Sequence, residues 1–172
     1  EISYLPVNEK GQVNPEQLEE TLREDTILVS IMHVNNETGN IQPIDKIGQV
    51  LISHKSKPFF HVDAVQSLGK MPLTLFNSDI DLLSLSSHKI HGPKGVGALF
   101  IREGVRLVPL LSGVGQEKGR RAGSENVHGI AGFSVALQEN YESYDKNIRH
   151  LIKLRSKLAE NLAENIPDLQ FN

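Results

Sequence analysis

The sequence predicts an α/β fold, a mainly parallel sheet flanked by helices. Three observations carry that expectation. Short apolar runs alternate with amphipathic helical stretches, the run from Thr26 to His33 is continuous, and unusual polar residues stand where the runs end. A continuous apolar run marks a strand covered on both faces, as in parallel sheets. Alternation of such strands with helices builds a parallel layer, and in such layers ligands bind beyond the carboxyl ends of the strands.

Taken in order, Ile2 to Val7 reads as a strand. Asn14-Pro15 opens a helix through about Arg23, with a capping side chain and proline at the first helical position. Thr26 to His33 is the buried parallel strand. Pro43 to about His54 is a helix with Ile44, Ile47 and Leu51 on one face. Pro58 to Asp63 is a short strand that ends on an acid, and Ile80 to Ser86 and Val96 to Arg102 are two more. After a glycine-rich loop, Ser124 to about Glu139 is helical, with Val127, Ile130, Ala131, Ser134 and Leu137 on its inner face. A long amphipathic helix from about Asp145 to Asn165 closes before Pro167.

Bulk properties narrow the function. With 172 residues the chain has room for one domain with a real core, not two full ones. Its 38% hydrophobic and 23% charged residues are ordinary globular usage. A net charge of -3 argues against a nucleic-acid binder. No apolar run is long enough to span a membrane, and Glu1-Ile2-Ser3-Tyr4 lacks the features of a secretory signal. There is no cysteine, which excludes a disulfide, a thiolate metal site or a cysteine nucleophile on this chain. His88 and His91 stand three apart without an acid or cysteine cluster, so no metal is expected. The chain opens inside an apparent strand without an initiating Met and ends at Leu169-Gln170-Phe171-Asn172; both ends read as cut from something longer.

Four segments carry candidate chemistry. The first is Ser86-Ser87-His88-Lys89-Ile90-His91-Gly92-Pro93-Lys94-Gly95, a polar turn directly after a strand. A lysine drawn out of bulk solvent there can supply the neutral amine that an aldehyde cofactor requires. Lys89 is preferred; Lys94, between Pro93 and Gly95, reads as exposed in a tight turn. The second is His61-Val62-Asp63-Ala64-Val65-Gln66. A carboxylate at a buried strand end needs a partner: a turn it caps, or a pyridinium nitrogen that it keeps protonated as an electron sink. The third is His33-Val34-Asn35-Asn36-Glu37-Thr38-Gly39, where consecutive amides suit a turn or a ligand contact alike. The fourth runs from Gly113 to Ser124, whose glycines, arginines and hydroxyl before a helix suit either a phosphate site or a flexible surface loop. It lacks the spacing of a P-loop.

Together these motifs resemble the class V branch of the pyridoxal-phosphate (PLP) dependent transferases, and within it the cysteine desulfurases of the NifS and IscS kind. The pattern runs from His33 to Gly39, through His61-Val62-Asp63-Ala64-Val65-Gln66-Ser67-Leu68-Gly69-Lys70 and Ser86 to Leu99, to Gly115-Gln116-Glu117 and Gly119-Arg120-Arg121-Ala122-Gly123-Ser124-Glu125-Asn126-Val127. Order and register hold along most of the chain. The Asn-Asn-Glu and Gln-Glu-x-Gly-x-Arg elements favour this group over the selenocysteine-lyase-like desulfurases.

The resemblance implies the aspartate aminotransferase-like fold (fold type I), with residues 1–125 in the PLP-binding large domain and 126–172 forming a linking helix and the start of the small domain. It implies pyridoxal 5'-phosphate as cofactor, with Lys89 as the covalent and catalytic lysine. Asp63 would pair with the pyridine nitrogen, Gln66 would touch the phenolic oxygen, and Asn36 would lie beside the ring. Ser86 and His88 would bind the phosphate. Ser124 stands where the family usually has threonine and would reach the phosphate of a partner subunit's cofactor. The implied reaction takes L-cysteine to L-alanine plus enzyme-bound sulfur, in a cytoplasmic homodimer that passes the sulfur to an acceptor such as an iron–sulfur scaffold. The family's sulfur-accepting cysteine, its substrate-gripping arginine and its ring-stacking histidine have no counterpart within the chain, so the chain alone is expected to be inactive. Another class V aminotransferase and a non-catalytic scaffold fragment are the alternatives.

Overall fold

A computed structural model describes residues 1–75 and 78–171, so the last residue of the Leu169–Asn172 ending lies outside the described residues. The element order is α1 (Pro15–Thr21), β1 (Leu28–Met32), α2 (Ile44–Ser53), β2 (Phe59–Asp63), β3 (Leu82–Ser86), a 3-10 turn (Ser87–Ile90), β4 (Gly97–Ile101), α3 (Gln116–Gly119), α4 (Val127–Glu142) and α5 (Tyr144–Asn165).

Local chemistry explains where these elements begin. The Asn14 side chain accepts a hydrogen bond from Glu16 N at 2.9 Å, and Pro15 follows at the start of α1. In α2 the spacing of Ile44, Ile47 and Leu51 puts all three on one buried face. The opening residues behave otherwise than expected. Ile2 to Val7 form no strand: Val7 makes only an isolated bridge to Val13, and Ile2 and Tyr4 are exposed.

The four strands pair in chain order, β1-β2-β3-β4. The first three are parallel, and β4 returns antiparallel to β3. Val29, Ile31, Phe60, Val62 and Leu83 point to one face, where Leu18 of α1 and Ile47 and Leu51 of α2 close the core. The opposite face carries Leu28, Ser30 and Met32 on β1 and Phe59, His61 and Asp63 on β2. Leu28, Met32 and Phe59 on it are 48%, 38% and 45% exposed. The apolar run of β1 therefore has one covered face, with inward residues alternating with outward ones, where the sequence predicted two.

Two features fasten the rest. Arg102, just past β4, donates from Nε to the Ile80 carbonyl at 2.9 Å and from Nη2 to the carbonyls of Ile80 (2.6 Å), Ser78 (2.8 Å) and Leu75 (3.4 Å). One guanidinium thus clamps the segment that enters β3, and it stacks over Phe100 at 5.8 Å. The second feature is the seat of α4. Its buried residues are Gly129 and Phe133, and Phe133 forms a small cluster with Leu68 and Ile90 beside Ala136. The predicted inner face is wrong here: Val127, Ile130 and Leu137 are exposed. A Cβ on Gly132 would lie 2.5 Å from Pro93 Cγ, so small residues set how closely α4 approaches the loop after Lys89. In α5, which runs as long as predicted, no described residue is buried. Among the described residues no helix is long and apolar enough to cross a membrane.

Candidate functional site

The candidate residues gather at the carboxyl ends of β1, β2 and β3, where cross-strand hydrogen bonds tie the ends together. His33 N donates to the Asp63 carbonyl at 2.9 Å, and Ala64 N donates to the Ser84 carbonyl at 3.0 Å. Asp63 is half-buried. Its Oδ1 accepts from Val65 N at 3.0 Å and closes the turn after β2. Its Oδ2 takes no hydrogen bond among the described residues, so the carboxylate caps a turn and still offers an acceptor.

At the end of β3, Ser86 Oγ and His88 Nδ1 are hydrogen bonded at 2.8 Å. Lys89 follows, half-buried, in the 3-10 turn. His91 ends that turn in the left-handed region at φ 68°, and Gly92 N donates to the Ser87 carbonyl at 3.1 Å. Ser87 is fully buried, and its hydroxyl has no partner among the described residues. Lys94 is exposed in a turn with Gly95 at φ 77°, as its sequence context predicted.

The remaining candidates separate. Asn35 Oδ1 accepts from Glu37 N (2.9 Å), Thr38 N (3.0 Å) and Thr38 Oγ1 (3.2 Å), a turn-forming role. The side chain of Asn36 beside it is exposed and makes no hydrogen bond among the described residues, and that of the half-buried Gln66 makes none either. Ser124 is exposed in the loop before α4, and no hydrogen bond joins it to the strand-end residues. The cap of α4 is Asn126, whose Oδ1 accepts from Gly129 N at 3.0 Å. Nearby, Glu117 and Lys118 adopt left-handed backbone angles of φ 48° and 57°, so α3 is a strained turn rather than a true helix.

Three side chains that sequence reasoning left without a role also lie here. Lys70 Nζ donates to the Gln66 carbonyl at 3.3 Å; burial first, and the charge of Lys89 second, hold its ammonium below the usual lysine range. His33 Nδ1 is buried without a partner among the described residues. Burial pushes the His33 imidazole down, and Asp45 partly offsets this. His61, two residues before Asp63 on the same face, bridges Ser30 Oγ on β1 from Nδ1 at 2.7 Å and Ser84 Oγ on β3 from Nε2 at 2.8 Å. The period of two along β2 was the available signal for His61; its serine partners depend on strand pairing.

An amine, an open carboxylate oxygen and a serine–histidine pair at neighbouring strand ends suit an aldehyde, a protonated ring nitrogen and a phosphate. This donor set fits PLP. Among the described residues no group of three His, Asp or Glu is gathered that could hold a metal ion. A cleft of about 700 Å³ lies elsewhere, between the opening residues, α1 and the open edge of β1, and is mostly apolar.

Comparison with known proteins identifies the family. The family model described as aminotransferase class-V matches residues 1–172. A cysteine desulfurase IscS of Methanosarcina thermophila is 48% identical over 172 residues, covering 100% of this chain and 42% of the relative. A mitochondrial cysteine desulfurase of Candida albicans is 49% identical over 176 residues, covering 100% of this chain and 35% of the relative. Among solved structures, a NifS-like protein superposes with a TM-score of 0.90 at 45% identity, over 94% of this chain and 44% of that one. The structure described as SspA in complex with cysteine gives 0.75 at 44% identity, over 79% and 39%. The chain thus spans less than half the length of each of these proteins.

Proposed function

The chain belongs to the aminotransferase class-V family, and from that premise we propose that it carries much of the cofactor site of a PLP-dependent cysteine desulfurase. The observation that carries this reading is the meeting of Asp63, the Ser86–His88 pair and Lys89 at adjacent strand ends. The names of its relatives supply the substrate, L-cysteine.

When bound, PLP supplies an aldehyde that joins an amine and a protonated ring that stabilises the charge developing on the amino acid. The chain's own residues do the rest. Lys89 would hold the cofactor through its amine, and the same Nζ, when free, could carry protons. Asp63 Oδ2 would accept a hydrogen bond from the protonated ring nitrogen and keep the proton there. Gln66 would touch the phenolic oxygen and Asn36 would lie beside the ring. Ser86 Oγ and His88, paired at 2.8 Å, would bind the phosphate. Ser124 serves the phosphate of a second subunit in a two-fold dimer. The C–S bond of cysteine would break as an attacking thiolate forms a bond to its sulfur, and a proton would take the place of the sulfur to give alanine. No cysteine occurs among the 172 residues, so the thiolate that takes the sulfur comes from elsewhere. An iron–sulfur scaffold is the acceptor we propose, in the cytoplasm. Residues 1–125 would belong to the cofactor domain and 126–172 to the small domain.

The test is to incubate the protein with PLP, reduce with borohydride and locate the adduct by peptide mass. An adduct on Lys89, with an absorbance band lost in Lys89→Ala, is the expected result; an adduct on Lys94 in the full-length protein overturns the assignment. The 172-residue chain alone should release no sulfide from cysteine above the Lys89→Ala control.

A further inference from the structure

The His61 imidazole is held at both nitrogens. Ser30 Oγ lies 2.7 Å from Nδ1 and Ser84 Oγ 2.8 Å from Nε2, so the ring spans three strands and cannot swing. Ser84 is also the register partner of Asp63, which puts both side chains on one face of the sheet, about 5 Å apart at the backbone. A serine hydroxyl at that spacing donates readily to a carboxylate, and hydrogen bonds to ionised acceptors are the strong ones. Asp63 Oδ1 is already taken by Val65 N, so the oxygen still open is Oδ2. Yet the Ser84 hydroxyl is turned to His61.

We infer that His61 is a positioning residue that keeps Asp63 Oδ2 open for its ligand by engaging the Ser84 hydroxyl, with its own proton on Nδ1 and Ser30 as the acceptor of that proton. The inference rests on the cofactor role proposed for Asp63. In this tautomer Nε2 is the acceptor, and the Ser84 proton points away from Asp63. A neutral ring is required. On β1 the side chains that share this face are Leu28, Ser30 and Met32, and on β3 Leu82 and Ser84; the charged neighbour is Asp63 on the same strand. Burial lowers the affinity of the ring for a second proton, and Asp63 opposes this only in part.

The test uses the full-length protein and two measurements. The PLP dissociation constant is read by titrating apo-protein. His61→Leu frees Ser84 to cap Asp63 and should weaken PLP about tenfold, the equivalent of one charge-assisted hydrogen bond. Adding Ser84→Ala removes the competitor and should restore most of that loss. A structural role for His61 predicts the opposite, a double variant at least as weak as His61→Leu, and that result overturns the inference, as does an unchanged affinity in His61→Leu. The second measurement needs no substitution and no cofactor. Ring nitrogen NMR shifts of His61 should report protonation at Nδ1, and protonation at Nε2 overturns the inference. A wild type that takes no PLP on Lys89 overturns the reading of the site and leaves the nitrogen shifts to decide this one.

Discussion

Gly92→Ala is expected to be costly for a reason that a second substitution can remove. The glycine follows the turn that carries Lys89. A Cβ there would fall well inside van der Waals contact with Ser87 Oγ, 3.1 Å from Ala136 Cβ and 3.2 Å from the Ser87 carbonyl oxygen. Its φ lies outside the left-handed region, so the penalty is steric rather than conformational. Overpacking of this kind costs about 1–3 kcal/mol, and the rigid neighbours on both sides argue for about 2. Ser87→Ala alone removes a buried hydroxyl that has no partner. Such a group carries a desolvation penalty of about 1–3 kcal/mol, so this variant should match or exceed the wild type. The double variant keeps the contacts at 3.1 and 3.2 Å and should lie within about 1 kcal/mol of Ser87→Ala, a coupling of at least about 1 kcal/mol. Urea unfolding at unchanged m reads all four proteins. If Gly92→Ala costs as much without the Ser87 hydroxyl as with it, the steric account is refuted.

Three further outcomes are expected. Arg102→Met should keep the packing on Phe100 but strip four carbonyl contacts from the approach to β3, lowering stability by about 2 kcal/mol by unfolding midpoint; Arg102→Lys should recover little, since one ammonium cannot reproduce the fork. His33 and His61 are both held by burial below the ordinary value of 6.5. The unfolded chain therefore takes up protons first, and stability that is intact above about 6.5 is lost as pH falls below it. Melting temperature should drop between pH 7.5 and 5.5, more shallowly in His61→Gln; a flat profile contradicts the shifts. Asn126→Ala should cost about 1 kcal/mol, with faster amide exchange confined to the first turn of α4; unchanged exchange there would show that the cap contributes nothing.

The parts of the fold that were readable from sequence are those set by local pattern. Asn14-Pro15 caps and opens α1, and Ile44, Ile47 and Leu51 repeat at helical spacing on α2. Asp63 and Ser86 to Lys89 interrupt apolar runs, and the structure sets them at strand ends. What failed depends on partners far away in sequence. Hydrophobic period placed Val127, Ile130 and Leu137 inward on α4, but the helix seats through Gly129, Gly132, Phe133 and Ala136. Close approach to Pro93 requires the absence of a side chain, which a hydrophobic pattern does not register. The apolar run of β1 implied two covered faces, although only pairing and packing decide how many are covered. His61 lay within a quoted motif without a role, because Ser30 and Ser84 become its partners only through strand register. The open oxygen of Asp63 is likewise set by one backbone donor, Val65 N.

The neighbour-by-neighbour order β1-β2-β3-β4 also bears on how the chain is made. A ribosome releases residues in that same order, so β2, β3 and β4 each meet the edge of a strand made before them. Loop closure is short at every step, and short closures are entropically cheap and fast. Domains generally fold as units during synthesis. By the time Arg102 emerges, β1 to β4 have all been released and it can clamp the approach to β3. The segments that carry Asn36, Asp63, Gln66, Ser86, His88 and Lys89 have then emerged, before Ser124 or either long helix has left the exit tunnel.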